Sequence, residues 1–455
     1  MSTTIAAIST PPGAGGLAVI RISGDEAIHI AKQMFRPMNG TPVSEMEGYT
    51  CAYGTFYDGD TALDDGVLTV FRAPRSYTGE DTAELSCHGG HYISEQLLRA
   101  AFALGAVPAE AGEFTKRAFL AGKLSLTQAE AVMDLIAADG EASHRCARSL
   151  REGAVFRRIH AISDRLVTVL ADLAAWADYP DEDDVPEVSH DALLEKLHGI
   201  RTDLAAAADT YDYGRILREG IHTVLCGRPN VGKSTVMNAL SGFARSIVTD
   251  RAGTTRDVIE ERVRIGDLVL RLADTAGLRD TTDEIEQLGV DLARQRIAEA
   301  DLILAVFDGA EPLCDSDYAL LDEIGGRKAI ALVNKSDKGI RLDLSAVEAK
   351  IPHVLVVSAK TADIAQPLGD ALKALFLNGA PDPQSGVVSN ERQRLCLSRA
   401  LEQVNEAIAA VSMGVPQDAV TVLLDEAANA LLELTGERAT GRVVDEVFAR
   451  FCVGK

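Results

Sequence analysis

Eight residues, Gly227-Arg228-Pro229-Asn230-Val231-Gly232-Lys233-Ser234, place two glycines around four residues and follow them with Lys and Ser. That spacing is a phosphate-binding loop. Its glycines let successive backbone N–H groups turn inward around phosphate oxygens. A following helix N-terminus adds partial positive charge. Lys233 supplies a full charge to the outer phosphates, and the Ser234 hydroxyl can hold Mg²⁺. The apolar stretch Ile221 to Cys226 reads as a buried strand, and Thr235 to Leu240 as the start of a helix. Strand, loop and helix in that order are the context the motif requires.

Four further signals follow. Asp274-Thr275-Ala276-Gly277 stands after an apolar run ending at Ala273; its aspartate can reach the Mg²⁺ shell and the Gly277 N–H the γ-phosphate. Asn334-Lys335-Ser336-Asp337 follows a run ending at Val333. The Asp337 carboxylate can accept the N1–H and 2-amino protons of guanine, a pattern adenine does not offer. Ser358-Ala359-Lys360 follows Val357 and can present a backbone N–H to the guanine O6. Between them, Gly253-Thr254-Thr255-Arg256-Asp257 offers Thr255 to complete the Mg²⁺ shell. Leu278 stands where many signalling GTPases carry a water-orienting glutamine, so the attacking water must be steered by another group. The acidic segment Asp280 to Glu286 reads either as the source of that group or as a solvated loop.

These motifs need a scaffold. A chain of 455 residues exceeds one core, and about 150 residues per domain gives about three domains. The net charge of −23 argues against general attraction to nucleic acid or anionic membrane, so an RNA partner must meet a local basic patch. The seven cysteines (Cys51, Cys87, Cys146, Cys226, Cys314, Cys396 and Cys452) are scattered, with no Cys-x-x-Cys pair. That usage fits a reducing cytosol and neither a disulfide framework nor a zinc site. No signal peptide is legible, and no window reaches the about 20 apolar residues of a membrane span.

Residues 1–120 mix turns with strands at Leu17–Ile22, Val67–Phe71 and Thr82–Ser86, and with helices near 25–35 and 91–104; this is an α+β domain. From 121 to 215 the texture turns helical, with Ile159, Ile162, Leu166, Val169, Leu170 and Leu173 on one face. The acidic run Asp181 to Asp184 interrupts it and reads as a solvated interhelix loop ahead of a cation site. Residues 216–380 alternate strands and helices, with apolar strands at Val269–Ala273, Leu302–Phe307, Ala329–Val333 and Val354–Val357; they predict a parallel sheet covered on both faces. Residues 381–455 are helical again, and Val420 to Leu432 is apolar almost all round, which predicts a buried helix. The two helical blocks are expected to form one discontinuous helical domain into which the α/β domain is inserted. Arg151, Arg158 and Arg165 recur every seven residues and predict one helix face, either a stripe for tRNA phosphate or a solvated face with intramolecular pairs. His88 and His91 near Cys87 read as structural.

The motifs together resemble the MnmE/TrmE tRNA-modification GTPases over the whole length. The residues that carry the resemblance are Pro11 to Gly16, Arg21 to Gly24, Tyr77 to Asp81, His88 to Gly90 and Gly112 to Thr115. Lys123-Leu124, Gln128 to Ala131, the phosphate loop, Gly253 to Asp257 and the terminal Phe451-Cys452-Val453-Gly454-Lys455 complete them. Val453 where isoleucine is usual, and Ala14, are minor departures.

The resemblance implies an N-terminal tetrahydrofolate-binding and dimerisation domain, a discontinuous helical domain and an inserted P-loop GTPase domain. It implies a cytoplasmic homodimer that joins the FAD-containing MnmG protein in a heterotetramer and modifies C5 of the wobble uridine of certain tRNAs. A 5-formyl- or 5,10-methylene-tetrahydrofolate is the implied carbon donor, with Arg21, Glu84, Lys123 and Lys455 as contacts. GTP contacts fall on Asn230 to Thr235, Thr249, Asp250, Arg251, Ala252, Gly253, Thr254, Thr255, Asp274 to Gly277, Asn334, Lys335, Asp337 and Ser358 to Lys360. Mg²⁺ falls to Ser234 and Thr255, and K⁺ to Asn230, Thr249, Arg251 and Thr254. The catalytic glutamate falls on Glu286. Cys452 reads either as a nucleophile or proton carrier in the one-carbon transfer, or as a small buried hydrophobe. The competing reading is a ribosome-assembly-type GTPase switch, which calls for an appended RNA-binding module; the chain ends in helices instead.

Overall fold

A computed structural model describes residues 3–178, 189–244, 260–273, 297–360 and 364–455. They form a multidomain protein with two compact units: Met1–Met133, Arg151–Arg201 and Arg399–Lys455 in one, Asp134–Leu150 and Thr202–Ser398 in the other.

The first unit holds seven strands: β1 (Ile5–Ile8), β2 (Leu17–Ser23), β3 (Phe35–Pro37), β4 (Thr50–Asp58), β5 (Thr61–Phe71), β6 (Thr82–His88) and β7 (Val107–Pro108), in the order β3-β4-β5-β6-β2-β1-β7. Only β1 and β7 pair in parallel. Strict alternation sets the two faces. Ala83, Leu85 and Cys87 of β6 turn inward with Ile20 and Ile22 of β2, against helices Ala27–Met34 and His91–Ala103. Glu84 and Arg21 turn to the opposite face, where Phe114 packs with Ile5 and Ala7. Each fully buried side chain such as Leu85 or Leu97 contributes roughly 1.5–3 kcal/mol by leaving water. In the same unit, helix Ala154–Asp178 packs on helix Gln417–Thr435, and its Ile159, Ile162, Leu166, Val169 and Leu173 are buried.

The second unit holds β8 (Ile221–Cys226), β9 (Glu260–Ile265), β10 (Leu268–Ala273), β11 (Leu302–Asp308), β12 (Ala329–Asn334) and β13 (His353–Val356), in the order β13-β12-β11-β8-β10-β9. Every residue of β11 and β12 is buried, as continuous apolar strands in a two-sided parallel sheet must be. All pairings are parallel except the β9–β10 hairpin. The order reverses at β8, with β10 on one side and β11 on the other, and the carboxyl end of such a strand is where open α/β sheets bind ligands.

Three expectations are corrected. The run Val420 to Leu432 is not buried all round: Val422 is 58% exposed and Asp425, Glu426 and Asn429 face water, so helix Gln417–Thr435 buries one stripe only. The seven-residue arginine spacing does not lie on one helix. Arg151 ends helix Glu141–Arg151, the chain turns at Gly153 with φ +85°, and Arg158 and Arg165 belong to helix Ala154–Asp178. Strands β1, β3, β4, β7 and β9 add to those legible in the sequence. β9 is an edge strand whose charged residues alternate with buried Val263 and Ile265. The acidic run Asp181 to Asp184 lies outside the described residues.

Candidate functional site

The phosphate loop leaves β8 and enters helix Lys233–Ala244. Two of its glycines are required by close backbone approach. Gly227 has φ +145°, and a Cβ there would meet the Val306 carbonyl at 2.3 Å; Gly232 has φ +101°, and a Cβ would meet the Asn334 amide nitrogen at 2.3 Å. Asn230 between them is left-handed at φ 64°, a conformation asparagine tolerates better than most residues. The loop therefore runs from β8 into a helix N-terminus through two glycines and a left-handed asparagine, the chain context of a phosphate-binding loop.

Asn334 ties this loop to the base-recognition segments. Its Nδ2 donates to the Val231 carbonyl at 3.0 Å, and its Oδ1 accepts from the Ala359 amide at 3.0 Å. Only 3% of Asn334 is exposed. Lys335, left-handed at φ 63°, donates through Nζ to the Asn230 carbonyl at 2.7 Å. Asp337 accepts from the Ser358 hydroxyl at 2.8 Å, and the Ser336 amide donates to the Val357 carbonyl at 3.2 Å. Asn230 to Thr235, Asn334, Lys335, Asp337 and Ser358 to Lys360 thus lie at the carboxyl ends of β8, β12 and β13, joined by side-chain hydrogen bonds.

Lys233 donates to the Gly227 carbonyl at 2.6 Å and the Arg228 carbonyl at 2.9 Å. Burial pushes its ammonium pKa down. Phosphate oxygens compete well for such a group, because an anion offers the charge that two carbonyls lack.

Asp308, at the end of β11, escaped the sequence reading. Its carboxylate meets Lys335 Nζ at 2.5 Å and accepts from the Ala310 amide at 3.0 Å. Burial opposes its ionisation, yet Lys335 and that amide outweigh burial and hold the carboxyl below its usual value. The only signal in the sequence was an acid closing an otherwise apolar strand.

Thr249, Asp250, Arg251, Ala252, Gly253, Thr254, Thr255, Asp274, Thr275, Ala276, Gly277, Leu278 and Glu286 lie outside the described residues.

A second constellation sits on the N-terminal sheet. Arg21 and Glu84 are directly paired across β2 and β6, with an N–O distance of 2.7 Å. The Arg21 guanidinium lies 5.7 Å from the Tyr77 ring centroid and 5.5 Å from that of Phe114. Tyr77 belongs to a loop that Lys123 clasps by donating to the carbonyls of Pro74 and Ser76. The same loop is fixed by Glu80, which accepts both from Arg117 at 3.0 Å and from Ser23 at 2.9 Å. The C-terminal tail docks beside it. Ser9 donates to the Gly454 carbonyl at 3.1 Å, and Gly454, at φ +93°, leaves no room for a Cβ against the Ile8 carbonyl at 2.5 Å. Because Ile8 pairs with Ile20, one residue from Arg21, the tail reaches the strand next to the Arg21–Glu84 pair. Cys452 is exposed, which removes the reading of it as a small buried hydrophobe. Lys123 also lines a cavity of about 680 Å³ with Lys116, Phe119 and Phe156, but Arg21, Glu84 and Lys455 do not.

His88, one residue beyond buried Cys87, bonds through Nδ1 to Asp64 at 2.8 Å. Among the described residues no group of three or more His, Cys, Asp or Glu could hold a metal ion, and no helix is long and apolar enough to cross a membrane.

Two family models match the chain: the GTP-binding protein TrmE N-terminus over residues 4–123 and the MnmE helical domain over residues 126–452. A tRNA modification GTPase MnmE of Bacillus velezensis is 41% identical, covering 99% of this chain and 100% of the relative. Its counterpart in Clostridioides difficile is 37% identical over 99% of each. Among solved structures, Era in complex with MgGDPNP and nucleotides of 16S ribosomal RNA is 22% identical, with TM-score 0.28 over 40% of this chain and 66% of that one.

Proposed function

This chain belongs to the MnmE family of tRNA-modification GTPases, and from that premise we propose how its residues divide the work. GTP lies along Asn230 to Thr235, with its guanine against Asn334, Lys335, Asp337 and Ser358 to Lys360. The observation that carries this reading is the Asn334 bridge between Val231 and Ala359, which sets the phosphate and base contacts at a fixed separation. Asp337 reads guanine, Lys233 meets the β- and γ-phosphates, and the loop amides hold their oxygens in a prearranged field.

Ser234 and Thr255 would hold magnesium, and Asn230, Thr249, Arg251 and Thr254 would hold potassium; the chemistry such cations would supply is neutralisation of charge on the phosphates. Thr249 to Thr255 with Asp274 to Gly277 complete the γ-phosphate side, and Glu286 steers the water that Leu278 has no polar atom to orient. The G domain, about 216–380, is inserted into a helical domain made of 121–215 and 381–455, and pairs with its copy during hydrolysis.

The N-terminal domain, 1–120, makes the homodimer and holds a tetrahydrofolate derivative, which supplies the one-carbon unit. The Arg21 guanidinium, pinned by Glu84 and flanked by Tyr77 and Phe114, supports this reading. A carboxylate such as that of Glu84 can accept from pterin N–H groups, while Lys123 and Lys455 serve the acidic tail. Cys452, exposed on the docked tail, handles a proton or the one-carbon unit. The protein acts in the cytoplasm with the FAD-containing MnmG on the wobble uridine of tRNA. The ribosome-assembly reading has no observation in its favour once the family is known.

The test is a pair of measurements on purified protein. GTP hydrolysis in K⁺ should exceed that in Na⁺, and a formyl- or methylene-tetrahydrofolate should bind and lose affinity when Arg21 is changed. Absence of folate binding would remove the one-carbon role, and equal rates in the two salts would remove the potassium role.

A further inference from the structure

Arg228 is the second residue of the phosphate loop, and its guanidinium is engaged by two carboxylates of the segment that follows β11. One terminal nitrogen bonds to Glu311 at 2.6 Å, and Nε lies 3.5 Å from Asp317 Oδ2. The Asp317 side chain is 97% buried, being only 3% exposed. Asp317 lies in the first turn of helix Asp315–Ile324, where its Oδ2 accepts from the Cys314 amide at 3.1 Å and from its thiol at 3.2 Å. The other carboxylate oxygen, Oδ1, is buried and has no hydrogen-bond partner among the described residues; neither does Arg228 Nε. A buried charge pair that leaves a donor and an acceptor unsatisfied at 3.5 Å is unfinished. A small rotation of the guanidinium would satisfy both atoms at once in the forked geometry arginine and carboxylate prefer.

The backbone of the same residue links this pair to the chemistry. The Arg228 carbonyl, with that of Gly227, receives the Lys233 ammonium. When Lys233 turns to the phosphates of a bound nucleotide, those carbonyls lose their donor and the Gly227–Arg228 segment is free to shift. We propose that Arg228 and Asp317 are a positioning pair whose fork closes as nucleotide binds, fixing the start of the phosphate loop in its binding shape. Neither residue touches nucleotide. Asp317 acts through Arg228, and Arg228 through its own backbone. The proposal rests on the reading of Gly227 to Ser234 as the phosphate loop.

The experiment compares wild-type protein, Asp317→Asn, Arg228→Lys and the double variant in GDP affinity and in unfolding midpoint without nucleotide. Asparagine keeps an oxygen for the Cys314 amide and so preserves the helix start. Lysine keeps the charge but not the fork. Each single variant should raise the Kd for GDP about tenfold, the effect of losing one charge-assisted hydrogen bond. The double variant should be no worse than the weaker-binding single, because both remove the same contact. The midpoint without nucleotide should move little. A lowered midpoint with unchanged Kd would make the pair merely structural and overturn the proposal, as would additive losses of affinity. Wild-type protein that binds no guanine nucleotide would overturn the loop reading itself, and the pair with it.

Discussion

The side chain of Asn334 reaches 3.0 Å across to the carbonyl of Val231, so the residue that opens the base-recognition motif also holds the phosphate loop. The two ends of the proposed nucleotide site are therefore joined through one side chain, with the second half of the same amide anchoring Ala359.

Asn334→Ala would leave the Val231 carbonyl and the Ala359 amide without their partner. A buried orphan costs about 1–3 kcal/mol, so GTP affinity should fall by about tenfold to a hundredfold. Calorimetric titration measures it; an unchanged Kd would show that the bridge does not shape the site.

Glu286→Ala should lose turnover by about a hundredfold or more, the ordinary contribution of a positioned acid or base, and keep its affinity for GTP. Single-turnover hydrolysis with a parallel binding measurement separates the two. Loss of affinity at unchanged turnover would place Glu286 in binding and leave the water to another residue.

Arg21→Ala should raise the Kd for a tetrahydrofolate derivative at least about tenfold, since a charge-assisted contact to the ligand disappears. Equilibrium dialysis against labelled folate reads this out. Equal binding by the variant would detach the Arg21–Glu84 pair from the folate site.

The pair of His88 and Asp64 gives a pH-dependent term in the N-terminal domain. Hydrogen bonding to Asp64, reinforced by its charge, raises the His88 pKa above the ordinary 6.5. Burial opposes ionisation of Asp64, but hydrogen bonds from the His88 amide and ring outweigh it and lower the carboxyl below 3.8. Stabilisation through His88 is therefore complete below pH 6.5 or so and fades as pH rises through the elevated folded value; that through Asp64 is complete above about pH 3.9 and fades as pH falls through the depressed one. An NMR titration should put the His88 midpoint above 6.5 and return it to the ordinary range in Asp64→Asn. An ordinary midpoint in the wild type would contradict the pairing.

Much of the candidate nucleotide site could be proposed from the sequence because its residues are local in the chain. Gly227, Gly232, Lys233 and Asp337 each stand at a fixed offset from the end of an apolar strand, so naming the strand names the site. Asp308 and Asp317 were not legible, because their partners Lys335 and Arg228 are far along the chain and meet them only when β8, β11 and β12 stand side by side. Glu84 stood out as a charge inside an apolar strand, but only the β2–β6 register shows that Arg21 answers it. β9 was hidden by its Glu and Arg residues, which an edge strand can turn to water. The arginine spacing misled because periodicity assumes an unbroken helix, and the left-handed turn at Gly153 breaks it.

The central claim, that Asp337 reads a guanine held by this loop, is tested most directly by Asp337→Asn. Xanthine carries a carbonyl where guanine carries its 2-amino group, so an amide donor should favour it where a carboxylate repels it. The wild-type protein should bind GTP far more tightly than XTP, and the variant should reverse that order. A variant that still prefers GTP would contradict the assignment of the base site.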